Sequence, residues 1–90
     1  MDNKIFEIRK IVVSTLKEYD EKIEIDENVS LKKDLCEIGM DSLAVIMIIV
    51  KIEEFYNIEI PDDLLTLENF SSILKIYGCI MQCKNRSRRR

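Results

Sequence analysis

Eight consecutive apolar residues, Leu43 to Val50, follow the dipeptide Asp41-Ser42 and constrain the fold more than any other stretch of the 90-residue chain. Asp41 and Ser42 are both good starting residues for a helix, because their side-chain oxygens can accept from the unpaired amides of a first turn. The run behind them is far too short to cross a bilayer, which takes about 20 helical residues. It therefore reads as a soluble helix with no obvious wet side, which the remaining segments must cover.

Those segments carry helical patterning. Ile5, Ile8, Val12, Leu16 and Tyr19 recur at spacings of three and four, with Lys4, Glu7, Lys10, Lys17 and Glu18 between them, the pattern of a first amphipathic helix. From Asp20 to Asp41 the periodicity fades, and Ile23, Ile25, Val29, Leu31, Leu35 and Ile38 stand singly among charges. A structureless loop of that length is unusual in a compact domain, so these side chains are expected to pin an ordered connection. Gly39 can supply the positive φ of a tight turn into the second helix. That helix should run to about Asn57, where "NIEIP" turns extended before Pro61. "PDDLLT" suits one short helical turn, and Thr66 can cap a last helix, "LENFSSILKIYGCIMQC", with Leu67, Phe70, Ile73, Leu74 and Tyr77 as its apolar stripe. The expected fold is all-α: three long helices and one short one, with no repeat or internal linker.

Composition bounds the rest. The length suits a single domain, assigned to residues 1–83, too small for a deep catalytic cavity with its own supporting shell. Residues 1–83 hold 9 bases against 17 acids, a net charge of −8, whereas "KNRSRRR" at 84–90 is basic and is expected to be a disordered tail. A short basic run without interleaved aromatics is a poor nucleic-acid site. The opening "MDNKIFEIRK" has no apolar signal core, so a cytoplasmic, non-membrane protein is expected. Cys36, Cys79 and Cys83 have no paired zinc spacing and no histidine beside them, so no metal site is expected and the thiols read as reduced and structural.

The missing histidine also limits Ser42. A serine hydroxyl is a weak nucleophile without a neighbouring base, and Lys51, nine residues along the same helix, lies on its far side and about 13 Å up the axis. Ser42 is either a plain helix cap or a group that is acted upon. An exposed hydroxyl at a helix N-terminus is a good place for a phosphodiester, because the free amides and the positive end of the helix dipole favour its charge.

"DLCEIGMDSL" followed by "KIEEFYNIEIP" resembles the acyl and peptidyl carrier proteins. The likeness includes Val29, Asp34-Leu35, Ile38-Gly39, Asp41-Ser42-Leu43, Ile52-Glu53-Glu54, Ile58, Ile60-Pro61 and Thr66, and covers nearly the whole chain. The resemblance implies a right-handed bundle of three long helices and one short one. It implies that Ser42, flanked by Asp41, receives 4′-phosphopantetheine from coenzyme A through a separate transferase, and that the thiol of the arm holds cargo as a thioester. The protein would be a non-catalytic carrier, expected to be monomeric. Its partners would be a phosphopantetheinyl transferase, an adenylating or acyl-transferring loading enzyme, and downstream synthase or tailoring enzymes.

On a wheel at about 100° per residue, Lys51 and Glu54 define a wet direction on the second helix with Met47 between them, flanked by Leu43, Ala44 and Val50. Val45, Ile49, Ile52 and Tyr56 then face the core. An apolar surface beside the attachment serine marks a docking face, formed by Leu43, Ala44, Met47, Val50, Lys51 and Glu54. Housekeeping fatty-acid carriers are usually acidic there, and "KIEE" resembles the Arg-Ile-Glu-Glu of peptidyl carriers, although Asp41 is the acyl-carrier choice. The expectation is a discrete carrier of nonribosomal-peptide or polyketide assembly, with the fatty-acid carrier and an unmodified interaction module as alternatives. A small enzyme or metal protein built on the cysteines would leave the placement of Gly39, Asp41, Ser42 and Pro61 unexplained.

Overall fold

Apolar residues at helical spacing produce three α-helices in the computed structural model, which describes residues 3–86: α1 (Asn3–Tyr19), α2 (Ser42–Tyr56) and α3 (Ile73–Arg86). No strand occurs among the described residues. The expected stripe of α1 is realised, with Ile8, Val12 and Leu16 buried and joined by Val13 and Thr15. α1 and α2 run antiparallel: the Tyr19 hydroxyl at the end of α1 reaches Asp41 at the start of α2, and the Tyr56 hydroxyl at the end of α2 donates to Glu7 Oε1 at 2.8 Å. α2 stops at Asn57, whose left-handed backbone (φ 55°) closes the helix by donating its N–H to Glu53 O.

The long connection is ordered as its isolated apolar residues predict. Ile23, Ile25 and Leu35 are buried, and Val29, Leu31 and Ile38 pack against the same core. It contains one feature the periodicity does not announce, a 3₁₀ helix over Leu35–Ile38, whose Asp34 cap accepts from Cys36 N at 3.0 Å. Gly39 ends it at φ 120°, and a Cβ there would lie 3.0 Å from Ile23 Cγ1. Both the backbone angle and the lack of space require glycine.

The last helix departs from expectation. α3 begins at Ile73, not after Thr66, and the segment before it forms two short 3₁₀ helices, Asp62–Leu64 and Glu68–Phe70. Thr66 does not cap α3; its Oγ1 accepts from Asn69 N at 3.1 Å in the second of these, whose flanking residue is Leu67. Backbone competition explains the break. Leu74 N donates to Leu31 O at 2.9 Å, and Ser71 O accepts from Leu35 N at 2.7 Å, so the crossing connection takes groups that a continuous helix would pair internally. The buried row is consequently Phe70, Ile73, Ile76, Cys79, Ile80 and Cys83, while Leu67 and Leu74, assigned above to the core stripe, are exposed. The backbone of α3 continues past the expected boundary at residue 83 to Arg86, and residues 87–90 of the basic tail lie outside the described residues.

Candidate functional site

The turn at Gly39 drops Met40 into the core and leaves Asp41 extended (φ −130°, ψ −173°) immediately before α2. Asp41, not Ser42, is therefore the cap. Its Oδ1 accepts from Ala44 N at 3.1 Å, its carbonyl accepts from Val45 N at 3.0 Å, and its Oδ2 accepts from the Tyr19 hydroxyl at 2.7 Å. The half-buried ring of Tyr19 packs on the core while its hydroxyl meets the carboxylate at the surface.

These contacts set the local electrostatics. The Tyr19 phenol, followed by the Ala44 amide, holds the Asp41 carboxyl below its ordinary pKa, and the same hydrogen bond, followed by partial desolvation, raises the Tyr19 phenol above its own. A charged, doubly engaged carboxylate thus stands beside Ser42. Ser42 is the first helical residue and is exposed, and among the described residues no hydrogen bond involves its Oγ. Lys51, the one candidate base on the same helix, turns to Glu18 at 3.5 Å. The hydroxyl is accessible and unspent, but nothing here activates it.

The surrounding surface requires one correction. Leu43 (58% exposed) and Val50 (45%) face solvent, Lys51 and Glu54 are exposed, and Met47 is half-buried. Ala44 is fully buried and cannot belong to a docking face. The wet side inferred from Lys51 and Glu54 was rotated, because Lys51, though exposed, stands beside α1 with its ammonium 3.5 Å from Glu18, and so marks an edge of the wet face and not its centre. Ile46, 55% exposed, takes Ala44's place. It was discernible in the sequence: Leu43, Ile46, Val50 and Glu54 step by three and four along one face.

Of the cysteines, only Cys36 adjoins this site, through its carbonyl, which accepts from Gly39 N at 3.3 Å. Cys79 and Cys83 are buried and Cys36 is half-buried, with no disulfide among them. Burial, then the neighbouring Cys83, pushes the Cys79 thiol up to about 11, and burial with Asp34 raises Cys36. Neither is poised as a thiolate. Among the described residues, no group of three or more His, Cys, Asp or Glu comes together as metal ligands, and no helix is long and apolar enough to cross a membrane.

Residues 7–80 match the family described as "Phosphopantetheine attachment site", a range that takes in Tyr19, Gly39, Asp41 and Ser42. An acyl carrier protein of Phytoplasma mali (strain AT) is 39% identical over 64 residues, covering 69% of this chain and 74% of that protein.

Proposed function

Because the chain belongs to the phosphopantetheine-attachment family of carrier proteins, whose members hold 4′-phosphopantetheine covalently, we propose that Ser42 bears the arm and that acyl or aminoacyl cargo is held on it as a thioester. The observation that carries this reading is the exposed Ser42 Oγ, left unpaired because Asp41 caps α2 in its place. The residues fit the group: a phosphodiester on Ser42 would lie at the positive end of a 15-residue helix, and the neighbouring Asp41 charge is already engaged by Tyr19 and Ala44. When attached, the arm supplies a thiol for thioester chemistry.

The chain's own residues present and recognise. Asp41 holds the first turn, Ser42 offers its oxygen to a transferase that brings coenzyme A, and Leu43, Ile46 and Val50 with half-buried Met47 form the surface a partner enzyme covers. Tethering raises the effective concentration of cargo at each partner without lowering a chemical barrier, so the chain acts as a carrier and not as an enzyme. Its partners on this reading are the transferase, a loading enzyme and the downstream synthase or tailoring enzymes, met in the cytoplasm.

The apolar arm-side face favours specialised nonribosomal-peptide or polyketide assembly. Likeness to a protein named acyl carrier protein favours the second reading, a carrier of fatty-acid synthesis. Incubation with coenzyme A and a broad-specificity phosphopantetheinyl transferase, read by intact mass, should add one arm to the protein and none to Ser42→Ala. Unmodified wild type, or a modified alanine variant, would refute the assignment. Parallel trial loading of the armed protein with aminoacyl and acyl groups separates the two pathways.

A further inference from the structure

Asp41 and Ser42 are adjacent and nearly equal as helix caps, so the start of α2 has two available registers. In the observed register Asp41 caps through Ala44 N and Val45 N, and Ser42 Oγ is unpaired. Shifted by one residue, Ser42 would cap: its Oγ would accept from Val45 N, and Ala44 N would lose its partner. The hydroxyl that must be presented to another enzyme would then be bound to its own helix. Intrinsic preference does not separate these states, so a contact from outside the helix must.

We infer that Tyr19 is the positioning residue that sets this register: its hydroxyl, donated from the last residue of α1 to Asp41 Oδ2 at 2.7 Å, keeps Asp41 in the cap position and Ser42 Oγ free. The two bonds are made together in the observed cap, with Oδ1 turned to Ala44 N and Oδ2 turned to α1, so each favours the carboxylate orientation the other uses. Tyr19 is itself fixed, since its ring packs against the core and α1 and α2 are joined independently by Tyr56–Glu7 and Lys51–Glu18. A rigid donor on one helix thus selects between two near-equal starts of another. The consequence for modification rests on Ser42 being the attachment site, but the register is a property of the unmodified protein and can be measured without the arm.

Tyr19→Phe keeps the ring and removes the donor. In the unmodified full chain, amide exchange followed by NMR should show Ala44 N–H exchanging about tenfold faster while Val45 N–H stays protected, because Ser42 Oγ replaces the Asp41 carbonyl as its acceptor. Attachment of phosphopantetheine to Tyr19→Phe should show kcat/KM lowered about three- to tenfold, the scale of one net hydrogen bond. Asp41→Ala should give the same exchange pattern with Tyr19 intact, and adding Tyr19→Phe to it should change neither readout further. Unchanged exchange at both amides, equal acceleration at both, or an equal loss of attachment rate from Tyr19→Phe in the Asp41→Ala background would each overturn the inference. If wild type refuses the arm, the assignment of Ser42 fails, while the exchange pattern still decides what Tyr19 does.

Discussion

Two serines stand at the starts of two helices and have opposite fates. At α3, Ser72 is 7% exposed; its Oγ accepts from Lys75 N at 3.2 Å and its carbonyl from Ile76 N at 3.0 Å. At α2 the same pair of bonds is made by Asp41, to Ala44 and Val45, and Ser42 is moved one position into the helix, exposed and unpaired. The two caps make the same pair of hydrogen bonds, one through a side-chain oxygen and one through a carbonyl, from different residues. A serine that caps is a structural group. A serine next to a residue that caps for it keeps its hydroxyl for chemistry, at a helix end that already favours a phosphate.

The largest expected effect separates the two serines outright. Ser42→Ala should abolish phosphopantetheine attachment, read by intact mass, with helical content by circular dichroism unchanged. Ser72→Ala should leave attachment complete and lower stability by about 1 kcal/mol in urea unfolding, the usual loss on removing a cap. Attachment lost in Ser72→Ala and kept in Ser42→Ala would reverse the comparison.

The two sides of α2 give the next effect. Ala44→Glu buries an unpaired charge and should cost at least about 3 kcal/mol, whereas Ile46→Glu should stay within about 0.5 kcal/mol of wild type. Ile46→Glu should instead slow transfer of cargo to a partner enzyme, measured against Lys10→Glu as a distant control. Equal transfer rates in those two variants would remove the docking face.

Smaller still is the turn that sets up the site. Gly39→Ala forces a Cβ to within 3.0 Å of Ile23 Cγ1 at φ 120° and should lower stability by about 1–2 kcal/mol. Urea unfolding checks it, and a neutral result would show that the turn can relax.

The smallest effect is electrostatic. The Asp41 carboxyl is lowered in the folded protein, so its contribution to stability is present above the unfolded carboxylate pKa and is lost as pH falls through the lower folded value. The Tyr19 phenol is raised, so its contribution is complete below the ordinary phenol pKa and is lost as pH climbs through the raised folded value. Carboxyl-carbon NMR titration should therefore show Asp41 titrating below ordinary carboxyls, and Tyr19→Phe should move it back up. No movement would break the link between the α1 terminus and the α2 cap.

Much of this was legible along the chain. The i, i+3, i+4 stripe of α1, the stop of α2 at Asn57, the turn at Gly39 and the pinned connection all follow from side-chain spacing and local backbone preference, quantities a sequence states directly. The order of Gly39, Asp41, Ser42 and Pro61 carried the family. The errors fell where partners distant in sequence compete. α3 begins late because Leu31 and Leu35 take backbone groups from Leu74 and Ser71, and no local pattern encodes that exchange. Ala44 is buried because neighbouring elements cover its arc of a helix that is apolar almost all round, where periodicity has little contrast to offer.

Residue order alone makes this chain helical, leaves it no histidine to activate a serine, and opens an apolar helix with Asp41-Ser42 behind a glycine turn. Which of those two residues caps is settled by packing. That choice depends on Tyr19 Oη lying 2.7 Å from Asp41 Oδ2, a distance set by the packing of α1 against α2 across 22 residues of sequence. Cap propensity is local and nearly equal for the two residues, whereas the donor that separates them is brought there by the core.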